Sequence, residues 1–346
     1  MNALRVSIIG GSGYAGGEFL RLALGHPQLE VVQVTSRQWQ GMPVTLVHPN
    51  LRGATELRFS SADELRDCDV LVSALPHGRL AKELAGSGWQ APRLIDLSAD
   101  FRLADPAAYS RHYGGEHPAP AELGTFVAAI PEIYREELVD ATRIAGAGCI
   151  ATTSILALLP VARAAIARPD RDIIVEAKIG SSAAGSEPGM SSHHPERAGA
   201  VRTYAATRHR HVGEIEQTLP DLPRVHLTAT AVERVRGVQV TAHVFVQPGT
   251  SDGDIGEALR ETYAGEPFVR LVRARKGIHR VPDPKILDGT NFCDVGYEFD
   301  ADSGRLVMMA ALDNLVKGTA GHALQALNIA AGFDERAGLG FMGLHP

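Results

Sequence analysis

Short apolar runs alternate with helical patterns over the first 150 residues, then give way to β-rich runs. Leu4-Arg5-Val6-Ser7-Ile8-Ile9 reads as a strand, and Glu18 to Leu24, with Phe19, Leu20, Leu22 and Ala23 on one surface, as the following helix. Leu29 to Thr35 is a second strand. Asp69-Val70-Leu71-Val72-Ser73-Ala74-Leu75 is almost continuously apolar, as a parallel strand buried on both faces must be, and Pro76-His77-Gly78 breaks it. Arg93 to Ser98 and Ile144-Ala145 add two more. Ile150 to Leu159 carries no breaker and predicts a helix that Pro160 kinks or ends. Beyond it, Ile173 to Ile179, Val225 to Val232, Val238 to Val246 and Arg305 to Leu312 have few helices between them. A last helix, Asp313 through Ala331, is rich in Ala and Leu. The pattern predicts an α/β chain: a Rossmann-like first domain of residues 1–148 and 314–346, and an inserted α+β domain, 149–313, with a largely antiparallel sheet.

Composition narrows the class without changing it. The 346 residues are 45% hydrophobic and 21% charged with a net charge of −6, so nothing favours nucleic acid. Cys68, Cys149 and Cys293 are too scattered for a disulfide framework, and no CxxC pair suggests zinc. The chain runs directly into its first strand and holds no apolar run near the ~20 residues that span a bilayer. A cytoplasmic protein with no membrane segment is expected.

Two stretches carry candidate chemistry. The first is Gly10-Gly11-Ser12-Gly13-Tyr14-Ala15-Gly16-Gly17, which fits G-x-G-x-x-G at a strand–helix junction. Its glycines allow a tight turn and bring a pyrophosphate close to a helix N-terminus. The second strand ends in Ser36-Arg37 rather than in the Asp or Glu that grips a ribose 2′-hydroxyl. Guanidinium and hydroxyl suit a 2′-phosphate, so NADP is the expected cofactor. At the ends of the next strands, His77 is expected to cap a helix, the alternative being a contact with the nicotinamide, and Ser98, Asp100 and Arg102 to border the site or form a loop network.

The second stretch is Ile144-Ala145-Gly146-Ala147-Gly148-Cys149, which sets Cys149 at a helix start where free N–H groups favour an anion. A thiol there can be a thiolate at neutral pH. His209 and His211 share a face of an extended segment and can serve a cysteine as general acid and base, while Glu214 can orient an imidazole or cap the next helix. HxH without acidic or cysteine partners at zinc spacing is a weak metal signal, and no metal is expected.

Together, the Gly10–Gly16 loop, Gly148-Cys149, His209-Arg210-His211-x-x-Glu214 and Asp313-Asn314-Leu315-Val316-Lys317-Gly318 resemble the N-acetyl-γ-glutamyl-phosphate reductases. Within them, the chain looks most like the lysine-biosynthesis branch, which reduces an aminoadipyl phosphate attached to an amino-group carrier protein. The resemblance implies a glyceraldehyde-3-phosphate-dehydrogenase-like arrangement, NADPH as reductant and a homo-oligomer, dimer or tetramer. It makes Cys149 the nucleophile that forms a thioester, and His209 or His211 the acid/base. It sets Ser12, Gly13, Tyr14 and Ala15 on the pyrophosphate, and Asn314 beside the nicotinamide. Ser181 and Ser182, after a strand and near a glycine, are candidate phosphate or carboxylate donors. Ile150 departs from the family, which usually has Tyr or Asn after the nucleophile.

A carrier with an acidic tail requires a basic surface. Arg197, Arg202, Arg208 and Arg210 fall close together, and no acidic residue lies between Glu196 and Glu214. Arg197 and Arg202 are accordingly expected to help bind the carrier-borne substrate, and His193-His194-Pro195-Glu196-Arg197-Ala198-Gly199 also looks like the carrier-dependent branch. The alternatives are the arginine-pathway enzyme and a dinucleotide-sensing regulator. The regulator would lack a nucleophile or a base, and this chain has both.

Overall fold

In the computed structural model, which describes residues 3–86, 89, 91–272 and 274–345, the described residues fall into two compact units. One comprises residues 3–147 and 319–340, the other 148–318 and 341–345.

The first unit is built on strands β1 (Leu4–Ile9), β2 (Leu29–Thr35), β3 (Phe59–Ser60), β4 (Val70–Ser73), β5 (Arg93–Asp96), β6 (Val127–Ala128) and β7 (Arg143–Ala145). All pair in parallel, in the order β3-β2-β1-β4-β5-β7-β6. Every residue of β4 is buried, as its unbroken apolar run requires. The strand order reverses between β1 and β4, and in open sheets such a reversal leaves a crevice at the carboxyl ends where ligands bind. Helix Gly321–Ala330, which buries Ala323, Leu324, Ala326 and Leu327, returns to this unit and packs on helices Tyr14–Leu24 and Pro131–Leu138.

The second unit holds β8 (Ile173–Ile179), β9 (Val201–Ala205), β10 (Val225–Val232), β11 (Val238–Phe245), β12 (Val269–Leu271), β13 (Cys293–Asp300) and β14 (Arg305–Leu312). Their order is β12-β13-β14-β11-β8-β10-β9. The β12/β13 and β8/β10 pairs are parallel and the other four antiparallel, so the sheet is largely antiparallel. Alternation sets Ile173, Val175, Ala177 and Ile179 of β8 and Val238, Val240, Ala242 and Val244 of β11 on the buried face. Helix Cys149–Arg163, apolar almost all round, covers that face.

One expectation is narrowed and another corrected. Pro160 does not end its helix, which continues to Arg163. A proline there leaves the Leu156 carbonyl without its helical donor, and the Tyr263 hydroxyl donates to that carbonyl instead. The expected helix from Asp313 to Ala331 is a π-helical turn, Val316–Ala320, followed by the α-helix. Gly318 N bonds to the Asp313 carbonyl five residues back, while the Asp313 carboxylate accepts from Leu315 N and Val316 N.

Candidate active site

The glycine loop is shaped by its packing. Gly10 takes φ +73°, and a Cβ on Gly11 would lie 2.3 Å from Val34 Cγ1. A Cβ on Gly16 would lie 2.8 Å from Gly11 Cα. These two glycines bring β1, β2 and the helix start together. Gly13 differs: its nearest neighbour would be 3.9 Å away, so its missing side chain leaves open space at the N-cap of helix Tyr14–Leu24. No side chain caps that helix, and its first N–H groups have no helical acceptor. A pyrophosphate fits this opening. Ser36 Oγ donates to Ser12 Oγ at 2.9 Å, tying the end of β2 to the loop. Arg37 is exposed and has no hydrogen bond or ion pair to another described residue.

At the ends of β4 and β5, His77 does not cap the next helix. Buried Asp100 does so by accepting from Gly78 N and Ala81 N, and it also holds His77 Nδ1 at 2.8 Å. Tyr109 Oη lies 3.2 Å from His77 Nε2 and completes the chain. Burial alone would raise the Asp100 carboxyl, but the His77 and backbone donors outweigh it and hold it below the usual range. Asp96, buried and beside that charge, is pushed up to about 6. Its carboxylate accepts from Ser98 N and Oγ, and Arg102 Nε donates to the Gly146 carbonyl. Ser98, Asp100 and Arg102 are thus parts of a loop network.

In the second unit, Cys149 is the first residue of its helix, with Gly148 as an uncapped N-cap. Two glycines make the room around it. A Cβ on Gly148 would lie 2.4 Å from His211 Nε2, so the imidazole rests on the Gly148 backbone. A Cβ on Gly318 would lie 2.7 Å from Cys149 Cβ. Buried Glu214 accepts from Gly148 N at 2.7 Å and has its other oxygen 3.9 Å from His211 Nε2. Glu214 thus lies beside the imidazole of His211. It also fixes the turn that carries the nucleophile.

His209 and His211 meet edge to face, 4.6 Å between ring centroids, and His211 N donates to His209 Nδ1. Burial, reinforced by Arg210, pulls His209 down to about 4. It is therefore neutral at pH 7, whereas His211 lies against the cysteine's own turn. Protonation of His209 favours the unfolded chain between its ordinary 6.5 and about 4. Stability is expected to fall as pH drops through that window, and His209→Gln to flatten the slope in chemical denaturation followed at several pH values. An unchanged slope would place the titration elsewhere.

Tyr204 is a neighbour that sequence reasoning missed. Burial first and the nearby Cys149 charge second push its hydroxyl up to about 12, and its oxygen lies 3.4 Å from His209 Nε2. It stands on the exposed edge strand β9, where the sequence singles out Arg202 but gives no sign of the tyrosine.

The remaining predicted residues are more occupied than their sequence suggests. Buried Asn314 accepts from Gly237 N at 2.6 Å, and its amide donates to Ser182 Oγ at 3.0 Å. Ser181 N and Ser182 N bond to Arg234 O and Val235 O. Arg197 Nη2 donates to the carbonyls of Ile179 and Val232 and so pins its loop to the sheet. Arg202 lies on β9, half exposed, against Glu196. Among the described residues, no group of three or more His, Cys, Asp or Glu is arranged to hold a metal, and no helix is long and apolar enough to cross a membrane.

Both units match family models of known proteins. Residues 5–141 match a family model described as the semialdehyde dehydrogenase NAD binding domain, and residues 149–314 one described as its dimerisation domain. The aspartate semialdehyde dehydrogenase of Candida albicans, solved with NADP, superposes with a TM-score of 0.69 at 14% identity, over 95% of this chain and 99% of that one. The LysW-L-2-aminoadipate 6-phosphate reductase of Deinococcus radiodurans is 58% identical, covering 99% of this chain and 98% of its own. A Saccharolobus solfataricus relative, named LysW-L-2-aminoadipate/LysW-L-glutamate phosphate reductase, is 42% identical over 99% of both chains. The chain belongs to the LysW-L-2-aminoadipate 6-phosphate reductase family.

Proposed function

We propose that the chain reduces a carrier-linked L-2-aminoadipate 6-phosphate to its semialdehyde with NADPH, releasing phosphate, as a step of lysine biosynthesis through aminoadipate. The observation that carries the reading is Cys149 at a helix start, with His211 and Glu214 packed on its turn. The relatives' names do not favour the arginine-pathway alternative, and the retained nucleophile and histidine do not favour a regulator.

In this mechanism the Cys149 thiolate attacks the acyl carbon and the carbon–oxygen bond to phosphate breaks, leaving a thioester. His211 takes the thiol proton and gives it to the departing phosphate. N–H groups at the helix start stabilise the carbonyl oxygen as it gains charge. NADPH, once held by the glycine loop, would supply the hydride that reduces the thioester carbonyl. The chain then releases aldehyde as Cys149 leaves as the thiolate, which regains a proton from solvent. Ser12, Gly13, Tyr14, Ala15 and Gly16 would hold the pyrophosphate of the cofactor and Ser36 and Arg37 its 2′-phosphate. Asn314 would act through Ser182 and the Gly237 backbone, to which it is bonded.

The reading includes a carrier protein held by the basic segment, with Arg202 facing the carrier and Arg197 fixing the loop. It also includes a homo-oligomer, supported by Ile174 and Phe245, which are exposed on the second sheet. A reducing cytoplasm would keep Cys149 a thiol. With NADP and phosphate, the carrier-linked semialdehyde is expected to be oxidised more than about tenfold better than N-acetyl-glutamate semialdehyde. Added salt should shrink that preference, and Arg202→Ala should raise KM for the carrier form alone. Equal use of both substrates at low salt would remove the carrier from the reading and leave acyl-phosphate reduction standing.

A further inference from the structure

Gly16-Gly17 puts two adjacent glycines in the first turn of a helix, where glycine is unfavourable. Gly16 is accounted for by the loop backbone beneath it. Gly17 is not: a Cβ there would lie 2.3 Å from His48 Cε1, 2.6 Å from Nδ1 and 2.9 Å from Nε2. Gly17 is bare because an imidazole lies against it. His48 Nε2 lies 2.8 Å from the Gly11 carbonyl oxygen, and since a carbonyl only accepts, Nε2 carries the proton and donates.

The ring is held in that place. His48 joins the short helix Val44–Val47 to the turn Pro49–Leu51, with buried Val44 and Leu51 on either side. Pro49 restricts the backbone of the residue before it, and the ring stands edge-on to buried Phe59.

What the bond fixes is a peptide. Gly10 N and Gly11 N donate to Thr35, and Gly13 N to the Gly10 carbonyl. Ser12 N donates to no described residue. The peptide between Gly11 and Ser12 is planar and trans, so holding the Gly11 carbonyl on the His48 side turns the Ser12 N–H to the opposite side. We infer that His48 is a positioning residue for the cofactor's pyrophosphate: it orients the Ser12 N–H toward the anion while Ser36 holds the Ser12 hydroxyl. This rests on the dinucleotide reading of the loop.

The test uses the full chain and NADPH, with Kd from fluorescence titration and KM and kcat from turnover. His48→Phe keeps a ring but loses the donor, and should raise Kd and KM for NADPH about tenfold. His48→Gln, whose amide can donate, should stay within about threefold of wild type. Gly17→Ala should weaken NADPH in the wild-type background by displacing the ring, and add little on top of His48→Ala. A His48→Phe chain that binds NADPH as wild type does, with only its melting temperature lowered, would overturn the inference. Wild-type protein that fails to bind NADPH would overturn the dinucleotide reading itself, and this inference with it.

Discussion

Cys149→Ser is expected to bind NADPH as the wild-type chain does, and to reduce the acyl phosphate on the order of 10³-fold more slowly or worse. Serine keeps the Cβ that Gly318 contacts, so the turn and helix start are retained. What changes is the nucleophile: a helix N-terminus can help a thiol ionise near neutral pH, whereas an alcohol stays protonated. The measurement pairs steady-state turnover with a single-turnover phosphate burst and intact mass. Wild type should release phosphate and gain the acyl mass when NADPH is withheld, and the variant should do neither. A variant that retains most of its turnover would rule out the covalent route.

Gly318→Ala is the second large effect. The added methyl would lie 2.7 Å from Cys149 Cβ, 3.2 Å from Cys149 Cα and 3.1 Å from Leu312 Cδ1. None of these can withdraw as the end of a long flexible side chain could. Overpacking of this kind costs about 1–3 kcal/mol. The larger consequence is catalytic, because displacing a reacting group by about 1 Å can cost about 10²-fold in rate. We expect kcat to fall by about that factor, Cys149 to be alkylated by iodoacetamide at a changed rate, and NADPH affinity to be unaltered. Wild-type turnover would show that the Gly318 contact does not hold the nucleophile.

The strands of both units were legible where burial imposes a pattern. The unbroken run of β4 and the alternations of β8 and β11 could be read directly. The edge strand β9, almost wholly exposed, and β13, with acidic residues and a glycine in its run, were not. The glycine loop and Cys149 were visible because their chemistry depends on residues adjacent in sequence. Partners far apart in sequence were not: nothing local to Gly17 announces His48, and nothing near Cys149 announces Gly318, 169 positions later. Charge has the same limit. A run of arginines shows that cations are present, but not that Arg197 is already committed to two carbonyls of its own sheet.

The return of helix Gly321–Ala330 to the first unit matters for how the protein is made. Its buried face packs on helices formed from residues 14–24 and 131–138, and Arg93 donates to its Ala330 carbonyl. During synthesis those surfaces emerge early, then wait while the whole second unit is translated. At about 5–20 residues per second that is on the order of ten seconds or more with an apolar seam exposed. Until the last segment leaves the ribosome, the nucleotide-binding unit is a nascent intermediate in need of protection. A message cut short before the codons for helix Gly321–Ala330 would yield a chain without a complete fold in its first half.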